Sequence, residues 1–135
     1  MTEPRAAYSL QHLGRALERL REALQEPEAN SLVVDGTIQR FEFVIELYWK
    51  TLKHFLTTEG ILTHTPRESL QRAYQAQWLS DETAWLEMLR DRNESSHTYD
   101  EATARRIYAN IKRNFPELDR TYQFLQQRLV GNPDA

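Results

Sequence analysis

The chain has 135 residues, no cysteine and a formal net charge of −3, from 17 basic and 20 acidic side chains. The lack of cysteine excludes disulfides, cysteine-ligated zinc and a cysteine nucleophile. The acidic balance is untypical of proteins that bind nucleic acid mainly through overall charge, so any RNA contact must be local.

The first two predicted helices are marked by apolar side chains at spacings of three and four residues. Pro27 ends the first helix because it cannot continue the hydrogen-bond ladder, and Asn30 or Ser31 caps the second. Gly60 is a suitable C-terminal cap for the second helix. The first stripe is Leu10, Leu13, Leu17, Leu20 and Leu24, and the second is Ile38, Phe41, Ile45, Tyr48, Leu52 and Phe55.

Two shorter helices follow. Thr65 with Glu68 forms a capping box for the third, with Pro66 in its first turn. We expect Tyr74 and Trp78 to face inward, together with Leu70. The fourth helix is predicted to open at Ser80, with its apolar face formed by Trp85, Met88 and Leu89.

The last helix is predicted to open with a capping box of Thr98 and Glu101 and to end at Gly131. Pro116 lies within its apolar stripe and should kink or break it. No period-two pattern competes with these helices. The sequence therefore predicts an all-α fold, an antiparallel four/five-helix up-and-down bundle. We expect one domain over residues 1–135, with an ordered core over about residues 6–130.

The apolar segments are too short to span a bilayer, which needs about 20 apolar residues. The longest runs from Phe41 to Leu56 and is interrupted by charges such as Glu42 and Lys53. The N-terminal residues also lack the apolar core of a secretory signal. We therefore expect a cytoplasmic protein without membrane contact.

The densest polar segment is residues 90–100, with the sequence RDRNESSHTYD. Arg92 can hold phosphate oxygens through its fork of donors, and the imidazole of a histidine such as His97 can move a proton of a ribose hydroxyl or leaving group. This chemistry needs no metal. The alternative is a solvated helix end followed by a polar loop.

Spacing constrains this candidate site. Asn93 and His97 are four residues apart and share a helix face. Arg92 and His97 are five apart, so an ideal helix points them about 140° away from each other. Either the helix is distorted before His97, or a second chain completes the site, as in a symmetric dimer.

The second helix carries acids followed by bases, Glu42, Glu46, Lys50 and Lys53, with Glu46 four residues from both Glu42 and Lys50. These side chains either form surface ion pairs or, in the functional alternative, direct an acid toward the groove of Arg92 and His97. The other histidines have no histidine partner at ligand spacing, so no metal site is predicted. We expect no cofactor.

Three blocks of sequence resemble small proteins known as nucleotidyltransferase substrate-binding proteins. They are FEF…ELYWKTLK from Phe41, TPRE from Thr65, and RNESSHTYDE from Arg92. The last block is similar to the Arg-x4-His-x-Tyr signature of HEPN domains, and the resemblance covers roughly residues 8–128.

The resemblance implies a helical bundle that forms a homodimer and works with a separate minimal nucleotidyltransferase, as HepT-like proteins do. Related pairs act as toxin and antitoxin, and the toxin-like members are metal-independent ribonucleases. At the positions that match the family motif, the resemblance implies that Arg92 stabilises the phosphate and that His97 is the acid–base. Asn93 and Ser96 hold phosphate or position His97. Tyr99 matches a tyrosine that the partner modifies with adenylate in some pairs.

The same resemblance implies an alternative. Some relatives are treated as non-catalytic subunits that bind a nucleotide or other substrate and dock with the nucleotidyltransferase. An acidic surface is consistent with docking a basic partner.

Overall fold

The computed structural model describes residues 4–131, which form five α-helices and one 3₁₀ turn. In chain order they are α1 (Pro4–Ala23), α2 (Ser31–Thr58), α3 (Pro66–Gln75), α4 (Glu82–Glu94), the 3₁₀ turn (Ser95–His97) and α5 (Glu101–Gly131). No β-strand occurs between residues 4 and 131, and the predicted all-α bundle is confirmed. The predicted domain span also includes residues 1–3 and 132–135, which lie outside the described residues.

The long helix α2 is the centre of the bundle and contacts each of the other four helices. Its Tyr48 side chain packs edge to face on Trp85 of α4, with ring centroids 4.8 Å apart. The Tyr48 hydroxyl donates a hydrogen bond to the backbone carbonyl of Leu118 in α5. The predicted stripes of α1 and α2 face this core, with Leu13, Leu17, Leu20, Phe41 and Leu52 among the fully buried side chains.

Side chains cap the start of four helices. The acceptors are Asn30 for Leu32 N at 2.9 Å, Thr65 for Glu68 N at 3.1 Å, Asp81 for Ala84 N at 3.1 Å and Asp100 for Thr103 N at 3.2 Å. The predictions at Asn30 and Thr65 are confirmed, whereas Ser80 and Thr98 are wrong. An aspartate follows each of these two residues closely, and a carboxylate is the stronger acceptor at the positive end of a helix.

Two further predictions are corrected. Helix α5 continues through Pro116, so the break that was one of the two predicted outcomes is wrong. Pro116 and Lys112, whose carbonyl loses its usual donor, are both exposed, so water can take the place of the missing bond. Tyr74 is 39% exposed instead of facing inward. Trp78 is buried as predicted but follows the end of α3, where it packs against Phe55 with ring centroids 6.2 Å apart.

The tyrosine side chain of Tyr122 in α5 packs against a glycine of α1. A Cβ atom at Gly14 would lie 2.4 Å from the hydroxyl oxygen of Tyr122. A larger side chain at this point of α1 would therefore have to displace the Tyr122 ring. Among the described helices, none is both long and apolar enough to cross a membrane.

Candidate functional site

The candidate site begins where α4 ends. Arg92 lies in the last turn of α4, which stops at Glu94, and His97 is the last residue of the 3₁₀ turn. The turn tightens at Ser95, whose N–H bonds back three residues to the carbonyl of Arg92 and whose hydroxyl oxygen lies 2.7 Å from the same carbonyl oxygen. The helix is therefore distorted between Arg92 and His97, one of the two arrangements that their spacing allowed.

Arg92 is held by α2. Its Nη2 donates to the carboxylate of Glu46, and its Nη1 donates to Asn93 Oδ1 at 3.3 Å. Lys50 Nζ lies 3.7 Å from the second carboxylate oxygen of Glu46. The side chains of Arg92 and Glu46 are 35% and 34% exposed, so solvent or a ligand can reach this ion pair. Four of the predicted site residues thus form one cluster.

The other three predicted residues, Ser96, His97 and Tyr99, are exposed beside this cluster. The His97 and Tyr99 rings lie edge to face with centroids 6.0 Å apart, and Tyr99 is 86% exposed. Among residues 4–131, the imidazole makes no hydrogen bond to Arg92 or to the residues that hold it. The cation and the candidate acid–base therefore lie on consecutive elements without being joined.

A second acid on α2, noted in the sequence but not included among the predicted site residues, contacts the same segment. Glu42 lies one turn before Glu46, and its carboxylate accepts a hydrogen bond from the Ser95 hydroxyl. The two acids of α2 thus hold the two ends of the segment from Arg92 to Ser95. The signal was available, because Glu42 and Glu46 are four residues apart and share a helix face.

Asp91 was also missed, although its position could have been read from the helix period. It continues the buried positions Ala84 and Met88 of α4, and it is completely buried. Its Oδ2 accepts from Asn110 Nδ2 at 3.0 Å, and Arg106 Nη1 lies 3.6 Å from Oδ1. Burial raises the pKa of Asp91, and the hydrogen bond from Asn110 opposes that rise only in part.

Two hollows lie beside the site. Asn93 lines one of about 480 Å³ with Arg67 and Arg90. Tyr99 lines a smaller one of about 160 Å³ with Asp35, at the start of α2. Within the part of the chain that the structure describes, no group of three or more histidine or acidic side chains could hold a metal ion.

Comparison with known proteins identifies related sequences. A family model described as "nucleotidyltransferase substrate binding protein like" matches residues 8–127. A Haemophilus influenzae protein named probable ribonuclease HepT is 31% identical over 110 residues, which are 78% of this chain and 75% of that protein.

Two solved structures share the fold over most of the chain. One is a Haemophilus influenzae protein described as showing the fold of a substrate binding domain of a nucleotidyltransferase. It has 28% identity and a TM-score of 0.78, over 87% of this chain and 99% of that one. The other is a Thermus thermophilus protein with 31% identity and a TM-score of 0.74, over 87% of this chain and 98% of that one.

Proposed function

Because the chain belongs to the nucleotidyltransferase substrate-binding protein family, we propose that it is the HEPN-type partner of a minimal nucleotidyltransferase. We further propose that it is a metal-independent ribonuclease that uses Arg92 and His97, in a two-component system of the toxin–antitoxin kind. The observation that carries this proposal is the distortion after Glu94, which brings His97 out of the α4 helix that carries Arg92. The ribonuclease name of the Haemophilus influenzae relative supports the same chemistry.

Arg92 binds the scissile phosphate in this proposal. Its guanidinium is already directed to an oxyanion, the carboxylate of Glu46, and it is partly accessible. A phosphodiester takes the place of that carboxylate, and Glu46 remains balanced by Lys50 on its other oxygen. Asn93, bonded to the same guanidinium, and the exposed Ser96 supply further hydrogen bonds to the phosphate.

His97 transfers the protons. As a base it takes the proton of the ribose 2′-hydroxyl while that oxygen attacks phosphorus, and a second acid protonates the departing 5′-oxygen. The products are a cyclic phosphate and a free 5′-hydroxyl. One imidazole cannot accept and donate in the same step, and a two-fold homodimer supplies a second His97. Phe43, 54% exposed next to Glu42, gives α2 an apolar surface beside the site for such a dimer.

Tyr99 is the point of control. Its hydroxyl attacks the α-phosphate of a nucleoside triphosphate on the partner enzyme, and pyrophosphate leaves. The attached nucleotide then adds bulk and negative charge beside His97. Because Tyr99 is almost fully exposed, an enzyme can reach it without unfolding the turn.

A second function is favoured by one observation: the Arg92 guanidinium already forms an ion pair with Glu46 of the same chain. A carboxylate that competes with phosphate, on a chain of net charge −3, fits a non-catalytic subunit that binds a nucleotide weakly and docks with the nucleotidyltransferase. This alternative predicts that the partner's nucleotidyl transfer depends on the present chain, whereas RNA stays intact.

The deciding experiment is RNA cleavage by the purified protein with and without a chelator. Arg92→Ala and His97→Ala are compared with Arg15→Ala and His64→Ala, which remove exposed side chains of the same types away from the site. We expect chelator-resistant cleavage that leaves a cyclic phosphate, is lost in the first pair and is kept in the second. No cleavage by a folded dimer, or equal cleavage by His97→Ala, rejects the ribonuclease and leaves the binding subunit.

A further inference from the structure

Helices α4 and α5 meet along a polar seam. Three acids of α4 lie at helical spacing and face α5: Glu87 accepts from Asn114 at 2.8 Å, Asp91 accepts from Asn110 at 3.0 Å, and Glu94 accepts from Arg106 at 2.7 Å. The seam closes toward the loop that carries Ser96 to Tyr99. Its last two members, Asp91 and Glu94, therefore flank Arg92 and Asn93 in the sequence.

Asp91 differs from the other two acids in its burial. The side chains of Glu87 and Glu94 are 24% and 40% exposed, whereas that of Asp91 is 1% exposed. Its Oδ1 accepts no hydrogen bond within the described residues. A buried carboxylate with a hydrogen bond to only one of its oxygens contributes little net stability. An apolar pair of similar volume to Asp91 and Asn110 would fill the same space without the desolvation cost.

The location of Asp91 accounts for its presence. It immediately precedes Arg92, and its partners Asn110 and Arg106 lie in the first turns of α5. Arg106 also reaches Glu94, the last residue of α4, so this group closes the base of the loop between the two helices.

We infer that Asp91 is a positioning residue, whose buried carboxylate fixes the end of α4 against α5 through Asn110 and Arg106 and so sets His97 relative to Arg92. The expected effect on RNA cleavage rests on the proposed function, whereas the role of Asp91 in holding the turn does not. Arg92 belongs to α4 and His97 to the following turn, so their separation depends on how firmly the end of α4 is held. Without the carboxylate, Arg106 loses one of its two acids and the turn is tied mainly by Ser95.

The test replaces the pair by apolar side chains, in the double variant Asp91→Leu/Asn110→Leu. Removing both polar partners together avoids leaving one of them unsatisfied, so the fold should be kept. The matched control is Glu87→Leu/Asn114→Leu, which makes the same exchange one turn earlier on the same seam. If the first variant does not fold, Asp91→Asn takes its place, since it removes the charge with almost no change of shape.

The measurements are the NMR amide-exchange rates of Ser95 and Asp100, whose N–H groups bond to Arg92 and His97 carbonyls, and the kcat for RNA cleavage. Urea unfolding checks that global stability is kept. We expect at least tenfold faster exchange at both amides and at least tenfold lower kcat in the Asp91 variant, and neither change in the control.

Unchanged exchange in a stable Asp91 variant overturns the inference, as does an equal change in the control. If the wild type cleaves no RNA, the proposed ribonuclease fails, and the exchange rates still decide whether Asp91 positions the turn. The two failures are therefore distinguishable.

Discussion

Two buried tyrosines in the core should differ in how much stability they lose with their hydroxyl groups. Tyr48 is completely buried and donates to the Leu118 carbonyl. Tyr108 is 4% exposed, and its hydroxyl has no hydrogen-bond partner within the described residues. Tyr48→Phe and Tyr108→Phe delete the same atom from two buried rings, so the comparison tests the effect of the hydrogen bond.

The magnitudes follow from the state of each hydroxyl. Tyr48→Phe should lower the free energy of unfolding by about 1 kcal/mol, since a satisfied hydrogen bond contributes about 0.5–1.5 kcal/mol net. Tyr108→Phe should leave it unchanged or raise it by up to about 1–2 kcal/mol, because an unpaired buried hydroxyl carries a desolvation cost. For a chain of this length, about 1 kcal/mol corresponds to roughly 3–4 °C in Tm. The two variants should differ by at least that amount.

The assay is thermal and urea unfolding of the wild type and both variants at neutral pH. Equal losses in the two variants, or a larger loss for Tyr108→Phe, would refute the assignment of which hydroxyl is bonded. The comparison requires the same m-value, the slope of the unfolding free energy against urea concentration, in all three proteins. An equal m-value shows that the same surface is exposed on unfolding.

Alkaline pH gives a further test of Tyr48. Burial raises the pKa of its hydroxyl well above the usual 10, so the folded protein retains a proton that the unfolded chain releases. The stabilisation from this group is full below pH 10 and is lost as the pH rises above it. We expect Tyr48→Phe to show a shallower loss of stability than the wild type in urea titrations above that pH.

Three other substitutions test the packing and the helix ends. Gly14→Ala should cost about 1 kcal/mol, since overpacking against Tyr122 outweighs the gain in helix propensity, and the sign should reverse in a Tyr122→Ala background. Burial raises the pKa of Glu117, but hydrogen bonds from Arg120 and Trp85 outweigh it and hold that pKa below 4.5. The stabilisation from the Glu117 carboxylate is therefore lost as the pH falls below 4.5. In Glu117→Gln, the free energy of unfolding measured in urea should depend less on pH in this range than in the wild type. Asn30→Ala should lower Tm by roughly 3–4 °C, because the cap of α2 contributes about 1 kcal/mol, and an unchanged Tm would contradict that role.

The helices and their buried faces could be predicted from the sequence because they depend on spacing alone. The leucines of α1 recur every three or four residues, and no other regular structure buries that pattern. The start of α5 could not be predicted, because Thr98 and Asp100 are both good caps and the choice depends on which residue ends the preceding turn. Pro116 was overrated because its cost depends on exposure, which the sequence does not state.

The candidate site was predicted where its residues are adjacent in sequence and missed where they are distant. Residues 92–99 form one segment, and Glu46 was included only as one of two alternatives. Asp91 escaped notice because a charged residue beside Arg92 suggests solvent, although helical spacing from Met88 places it inside. Its partner Asn110 lies 19 residues away, a distance over which spacing rules carry no information.

For the RNA binding that we propose, the Arg92–Glu46 ion pair has a consequence for the dependence on salt. When a solvent-exposed arginine binds an RNA phosphate, the arginine releases loosely held anions and the RNA releases condensed cations. Because these ions are released on binding, the affinity falls steeply as the salt concentration rises. A phosphate that reaches Arg92 exchanges with a tethered carboxylate that stays on the protein and keeps Lys50 as its neighbour. This exchange releases fewer ions per contact, so RNA bound at this site should be less sensitive to salt than its arginine count implies.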